Sequence, residues 1–369
     1  MIRLFNKCRS DKNSHSWDLY RQTQRNYRKE VRKASRNASR TFCNPINDLP
    51  RSARLHRALS RYPKIKLRSL VAPSGGRTQS EGETLELLLT TRFPHSGVTQ
   101  ELAAPAAALL ARRPDWRLAT RAVAYKRVEW AIDSFVPCKS PGVDGIFPAL
   151  LQKAWESVVP YLFRIFHACL ATGYVPAIWR QVKVVFIPKP GRNSYSGPRN
   201  CRPISFTSFL LKPMERLVDR YLIDEALALV PLHPNQHAYQ AGKSVETALH
   251  KLVVRVEKAL DLQEAALGVF LDTEGAFNNT CYDTICDALV RHGSEYTIAR
   301  WIRTTLAGRV AVATLNGFSV GLAISKGCPR GGVVSPLLWC LVVDDLLARL
   351  SAGGVFIQGY ADDMSSCGG

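Results

Sequence analysis

Two carboxylates stand side by side close to the C-terminus, Asp362 and Asp363, in the tetrapeptide YADD that follows the apolar run GVFIQG. A third, Asp272, closes another apolar run, GVFLD, ninety residues earlier. One aspartate at a strand end is ordinarily a solvated residue, and an aspartate pair in a turn is ordinarily turn chemistry. Three carboxylates gathered at one edge of a sheet are a different matter. Like charges crowded in a partly desolvated pocket repel one another, and a hard divalent cation such as Mg²⁺ removes that cost through oxygen ligands. Two such ions roughly 3.5–4 Å apart can activate an attacking hydroxyl and stabilise the leaving oxygen of a phosphoryl transfer. The chemistry therefore depends on whether the strands carrying Asp272 and Asp362 are neighbours in one sheet.

The elements that must position them follow from periodicity and punctuation. From 266 onward the pattern reads as a buried strand over 266–272, helices near 281–291 and 295–307, and a hairpin about Asn316-Gly317. A glycine loop, GCPRGG at 327–332, then opens a long apolar helix, and a strand runs into the tight turn at YADD. Strands with helices packed on them make an α/β layer. Upstream, the pattern predicts a basic helix over 12–40 with Trp17, Tyr20, Tyr27 and Val31 on one face, a loop over 72–84 and a helix over 99–113. An amphipathic helix over 117–136 and a turn cluster over 139–146 come next, followed by helices over 147–156 and 158–172 and a strand over 181–188. From ISFTSF at 204 the chain reads as a helix bent near Pro213, and 243–262 as a helix capped by Ser244.

The bulk composition narrows the class. The 369 residues carry a formal net charge of +20, and residues 1–70 hold 19 Lys/Arg against 4 Asp/Glu, so three quarters of the excess lies in the first fifth. A segment of that kind favours polyanions, nucleic acid foremost. Ten cysteines are scattered without a CxxC pair, which argues against a structural zinc site and fits reduced thiols in a cytoplasmic or nuclear, non-secreted protein. The N-terminal residues lack the apolar core of a signal peptide, and the apolar run VVSPLLWCLVVDDLL, broken by Pro336, Asp344 and Asp345, reads as a buried helix rather than a membrane span.

Seven stretches occur in order: FVPCKSPGVDGI (135–146), FIPKPG (186–191), NCRPISFTSFLLKPMERLVDRYL (200–222), PNQHAYQAGKSVETALHKLV (234–253), VFLDTEGAFNNT (269–280), GCPRGGVVSPLLW (327–339) and YADD (360–363). Together they resemble the reverse transcriptase domain of non-LTR, LINE-type retrotransposons of the jockey-like kind. The resemblance implies an α/β (α+β) right-hand polymerase: a basic helical connector over 1–70, a loop and helical linker over 71–114, fingers and the start of the palm over 115–265, and palm over 266–369.

It also implies roles. Asp272, Asp362 and Asp363 would be the catalytic carboxylates, with Asp272, Asp362 and the Thr273 carbonyl holding two Mg²⁺ ions, or Mn²⁺ in their place. Lys189, Arg202, Phe277 and Arg330 would meet the dNTP, with Phe277, five residues after Asp272, lying beneath the sugar and leaving no room for a 2′-hydroxyl. Gln236, Lys243, Gly331 and Gly332 would meet template and primer. The partners are then an RNA template, a DNA primer and dNTP, with no membrane. Two positions depart from the family pattern: Arg330 stands where Gln is usual, and Asn278 where Asp is usual. Arginine donates hydrogen bonds but accepts none, unlike glutamine.

After YADD the chain reads MSSCGG, poor in β-formers. The strand that should pair back against GVFIQGY is therefore not expected, nor is a thumb, and the resemblance implies a partial palm with weak or no polymerase activity. Two readings follow: an RNA-directed DNA polymerase domain, and a nucleic-acid-binding remnant of the same element. Phe277 disfavours a third, RNA synthesis.

Overall fold

The computed structural model describes residues 14–43, 69–73, 75–94, 96–98, 113–191, 194–273 and 275–368, with the isolated positions Phe5, Lys7, Cys8, Arg51 and Arg54. The helix expected over 99–113 lies outside the described residues except for Arg113.

In chain order the helices and strands are α1 (Ser14–Cys43), α2 (Glu81–Arg92), β1 (Gly97–Val98), α3 (Trp116–Ala122), α4 (Tyr125–Asp133), α5 (Pro148–Lys153) and α6 (Trp155–Thr172). Then come β2 (Gln181–Pro188), β3 (Cys201–Phe206), α7 (Leu211–Tyr221), α8 (Val245–Asp261), β4 (Leu267–Asp272), α9 (Ala276–Asn279), α10 (Tyr282–Arg291) and α11 (Tyr296–Leu306). The chain closes with β5 (Arg309–Leu315), β6 (Phe318–Ile324), α12 (Ser335–Ala352), β7 (Phe356–Tyr360) and β8 (Asp363–Gly368).

Among the described residues the strands form two sheets. The five-stranded sheet has the order β1-β6-β5-β2-β3 and the three-stranded sheet β4-β8-β7. In β2 the alternate residues Val182, Val184 and Phe186 are buried, and they pack with Leu85, Leu88 and Leu89 of α2 in a small core. The larger core is mostly helical and joins α3, α4, α6, α7, α10 and α11 to α12 and to Ile357 of β7. The β5–β6 hairpin turns on Asn316 and Gly317, both with positive φ (+49° and +93°), as a type I′ turn requires. Helix α8 starts where Ser244 and Thr247 cap each other's backbone N–H groups, a capping box that confirms the expected start.

Several elements differ from expectation, each for a physical reason. The loop over 72–84 ends early, because Ser80 caps α2 by accepting from the Glu83 N–H. The amphipathic stretch 117–136 is two helices, α3 and α4, broken at Val123–Ala124 where Val123 is buried. ISF at 204–206 is strand, paired antiparallel with β2; β3 is an edge strand, which tolerates Pro203 without a donor. Pro213 falls in the first turn of α7 and causes no bend there; the irregular turn is instead π-type, at Leu222–Ala226. Strand β4 is not buried: Leu267 and Phe270 are each 71 % exposed, since β4 is the edge of its sheet. An apolar run alone does not tell a central strand from an edge strand.

Candidate active site

The three aspartates are brought together by strand register. Asp272 is opposite Asp363 in the β4–β8 ladder, and Asp363 is opposite Tyr360 in the β7–β8 ladder. Directly opposed residues of antiparallel strands share a face, so Asp272, Asp363 and Tyr360 form one row across the sheet. The Thr273 N–H donates to the Asp362 carbonyl at 3.0 Å, which ties the end of β4 to the turn. The strands carrying Asp272 and Asp362 are thus not immediate neighbours; β8 lies between them. This corrects the expectation that no strand follows YADD. Residues 363–368 form the central strand, and pairing on both edges overrides the weak β-propensity of Met, Ser and Gly. Side chains help: Gln358 Nε2 donates to Ser365 Oγ at 3.1 Å, Ser366 Oγ donates to the Phe356 carbonyl at 2.9 Å, and Cys367 is buried.

The β7–β8 connection is a two-residue turn, Ala361–Asp362, in which Ala361 adopts a φ of +57°. A residue with a Cβ pays a steric cost there. Trp339 of α12 holds the turn, its Nε1–H donating to the Ala361 carbonyl at 2.6 Å. Asp272 and Asp363 are exposed and Asp362 is half-buried. None of the three side chains has an ion-pair or hydrogen-bond partner among the described residues. Nor are three or more His, Cys, Asp or Glu side chains of the described residues gathered closely enough to enclose a metal ion. Asp272, Asp363 and Tyr360 line one end of a cavity of about 360 Å³ between α8 and the sheet, whose other walls include Leu249, Leu252 and Phe270.

Phe277 sits on the short helix α9, 8 % exposed, with its ring 6.2 Å from that of Trp339. The glycine loop is docked onto this helix. The Cys328 N–H donates to the Phe277 carbonyl at 2.6 Å and the Gly327 N–H to the Thr280 carbonyl at 2.7 Å. Gly327 has a φ of +79°, and a Cβ there would lie 2.5 Å from the backbone of Phe277 and Asn278. The glycine is required by a contact within the protein. Gly331 and Gly332 likewise approach protein: a Cβ on Gly331 would strike the Ser205 carbonyl of β3, and one on Gly332 would strike Ser335 Oγ. Arg330, exposed at the tip of the loop, places its guanidinium 5.9 Å from the centre of the Phe277 ring.

The other sequence-derived residues fall in two places. Lys189 and Arg202 stand at the β2–β3 hairpin of the five-stranded sheet, a different sheet from that of the aspartates; Arg202 is exposed and Lys189 half-buried. Gln236 is fully buried and pairs by its backbone beside Gly359 of β7. Lys243 Nζ donates to the carbonyls of Pro234 and Gln236 at 3.0 and 2.7 Å. Both residues brace the segment that runs along the free edge of β7, and burial lowers the Lys243 pKa. A buried glutamine offers no surface to a template, so a direct template contact from the Gln236 side chain does not fit this geometry.

Three residues at the site were not assigned a role by sequence reasoning. Tyr239, 56 % exposed with a φ of +56°, has its phenol pKa raised by burial and then by the nearby Asp362 charge. Trp339 links the Phe277 ring to the YADD turn. Glu215 of α7 is buried, and its carboxylate accepts from the Val333 N–H at 2.6 Å just ahead of α12. Burial pushes its pKa up to about 7, against the lowering effect of the Val333 hydrogen bond, Lys212 and Arg309. Only Tyr239 and Trp339 carried a signal in the sequence, as aromatic residues inside two of the seven ordered stretches.

The mixed helix-and-sheet fold thus brings three aspartates to the hairpin end of the sheet β4-β8-β7 and docks a glycine loop beside an aromatic residue. Residues 187–367 match the family described as reverse transcriptase (RNA-dependent DNA polymerase). Curated relatives agree. The chain is 31% identical over 225 residues to the Pol polyprotein of the type-1 retrotransposable element R1 of Bradysia coprophila, covering 61% of this chain and 22% of that protein. It is 27% identical over 305 residues to the probable RNA-directed DNA polymerase from transposon BS of Drosophila melanogaster, covering 79% and 33%. It is 24% identical over 305 residues to the RNA-directed DNA polymerase from mobile element jockey of the same species, with the same coverages. The chain carries a reverse transcriptase domain of the non-LTR retrotransposon family. It spans about a fifth to a third of the length of these relatives.

Proposed function

We propose that this domain joins deoxynucleotides to the 3′-hydroxyl of a DNA primer on an RNA template, in the cytoplasm or nucleus and away from membranes. The observation that carries the reading is the register that sets Asp272 against Asp363 and ties Thr273 to Asp362 across ninety residues of sequence. Three carboxylates without a cationic partner are hard oxygen donors, a set that fits Mg²⁺ and also Mn²⁺. Asp272, Asp362 and the Thr273 carbonyl would hold the ions, with Asp363 beside them; when bound, such ions supply the positive charge that favours hydroxyl ionisation and pyrophosphate departure.

The protein's own residues do the rest. Asp363 and Asp272 draw cations to the hairpin end, and Tyr360 extends that row. Phe277, packed against Trp339 with the two rings tilted by 34°, presents a ring that excludes a 2′-hydroxyl. Lys189 and Arg202 add positive charge for a triphosphate. Gly331 and Gly332, pinned on Ser205 and Ser335, keep the loop beside template and primer, while Lys243 and Gln236 hold the segment that carries Tyr239 toward Asp362.

The test is extension of a DNA primer annealed to RNA by the purified chain with dNTP and Mg²⁺. Extension that Asp362→Ala lowers about a thousandfold, the several kcal/mol such ligands supply, supports the reading. Extension unchanged by Asp362→Ala and Asp272→Ala overturns it. One observation favours the second reading, a remnant that binds nucleic acid without synthesis: the Arg330 guanidinium lies over the ring face on which a sugar would rest. Salt-sensitive binding without extension, with extension appearing in Arg330→Gln, would select it for the chain as it stands.

A further inference from the structure

Helix α1 carries Arg32, Arg36 and Arg40 at intervals of four, hence on one side of the helix. That side does not face open solvent alone. With Trp130 of α4 and Arg216 of α7 it lines a cleft of about 750 Å³, the largest volume among the cavities described. Four guanidinium groups line the cleft with one carboxylate, Asp133, which lies 3.5 Å from Arg40, and behind the lining Arg216 also has the charge of Asp219 nearby. Arg32 and Arg36 have no hydrogen-bond or ion-pair partner among the described residues. Arg216 has its guanidinium over the Phe135 ring at 5.5 Å, and its Nε is buried without a partner. The Trp130 indole is 45 % exposed in the cleft. The cleft shares no residue with the cavity at the aspartates.

We infer that the cleft between α1 and the α4–α7 surface is a binding site for single-stranded nucleic acid, with Arg32, Arg36 and Arg216 on phosphates and Trp130 stacked on a base. Unpartnered guanidinium groups repel one another, and a polyphosphate backbone relieves that repulsion with bidentate hydrogen bonds. Charge alone would suit any polyanion. The exposed indole narrows the choice, because a ring set among arginines offers a platform to an unpaired base, the combination that holds single strands without sequence preference. A base within a duplex keeps its faces stacked and cannot use that platform. The site goes beyond the polymerase reading and does not need synthesis. It has a bearing on it, however: Arg216 is adjacent on α7 to Glu215, which holds the start of α12 and the glycine loop. A strand seated in the cleft is one helix away from that loop.

The experiment reads binding to the full chain, without dNTP, of labelled oligo-U, oligo-dT and a duplex of equal length, by fluorescence anisotropy between about 50 and 200 mM salt. Arg32→Glu with Arg36→Glu is compared with a charge-matched control at exposed residues outside the cleft, Arg164→Glu with Lys258→Glu. The cleft pair is expected to weaken single-strand binding about tenfold or more and to reduce the salt slope by about two, with the control far less affected. Arg32→Lys with Arg36→Lys should keep the salt slope, since the charge is retained, but lose part of the affinity with the bidentate geometry. Trp130→Ala should weaken both oligonucleotides about tenfold with no change in slope, Trp130→Phe should restore most of it, and inorganic polyphosphate should not sense either change. Equal losses in the cleft pair and the control, a duplex bound as tightly as the single strands, or Trp130→Ala binding like the parent would each overturn the assignment. Because no nucleotide is added, these results stand apart from success or failure of primer extension.

Discussion

Two hairpins in this chain close on two-residue turns by opposite means. The β5–β6 hairpin turns on Asn316-Gly317, residues that accept positive φ at little cost, and Asn316 Nδ2 also reaches Glu81 at 3.3 Å. The β7–β8 hairpin turns on Ala361-Asp362, with alanine in the left-handed region where glycine would be expected. The first hairpin is set by local preference. The second is held against it by the Trp339 indole on the Ala361 carbonyl and by the Thr273 N–H on the Asp362 carbonyl. Backbone strain is a reservoir usually found at functional sites, held there by the structure around it. The aspartates of the proposed site, Asp362 and Asp363, thus lie on the hairpin whose shape depends on its neighbours.

The largest effect is expected from exchanging the turn chemistries. Asn316→Ala with Gly317→Asp should cost about 2 kcal/mol in denaturant unfolding, since two residues with a Cβ would then hold positive φ without a brace. A cost near zero would erase the distinction between the hairpins. Trp339→Phe keeps a ring against Phe277 but removes the donor to Ala361, and should cost about 1 kcal/mol of stability. Its effect on extension should exceed that, because displacing reacting groups by about 1 Å can slow a reaction about a hundredfold. Equal losses in both would assign the indole a packing role alone. Ala361→Gly should raise stability by up to about 1 kcal/mol, as glycine meets no steric penalty at this φ. A loss of that size would mean that the alanine is not strained.

A further effect, read against pH, concerns the support of the brace. Trp339 sits near the start of α12, and Glu215 anchors the chain there through Val333. Burial raises the Glu215 pKa from 4.5 in the free group to about 7. An acid raised in this way holds more protons in the folded than in the unfolded state between those values. Its contribution to stability is therefore full below about pH 4.5 and declines as pH rises toward about 7. Glu215→Gln should flatten that part of the stability–pH curve, measured by reversible unfolding at several pH values. An unchanged slope would show that Glu215 does not titrate there.

Much of this was legible in the residues, for reasons that differ between elements. The Asn-Gly hairpin, the Ser244 cap and the strand over 181–188 follow from local chemistry, and the structure has them. Strand β8 was not legible: Ser365 and Ser366 say nothing of strand, and it is one through a local hairpin ladder to β7 and a long-range ladder to β4. The same cause misled in reverse at β4, where an apolar run suggested burial that an edge strand does not receive. ISF at 204–206 read as the beginning of a helix because its partner, β2, is distant in preference though near in sequence. At the site, the aspartates stood out by type and spacing, and Phe277 only through the resemblance. Glu215 did not, since a glutamate at helical spacing looks like any solvated one until the fold buries it. The glycines stood out as a loop, but their close approach to the Phe277 and Ser205 backbone within the protein is visible only in the fold.

The most direct test of the shared aspartate site is cleavage of the chain by Fe²⁺ and ascorbate, in which hydroxyl radicals cut backbone next to the bound ion. Two groups of cuts are predicted, one beside Asp272 and one beside Asp362, both suppressed by excess Mg²⁺ and both lost in Asp362→Ala. Cuts at one of the two positions only, or cuts at both that survive Asp362→Ala, would contradict it.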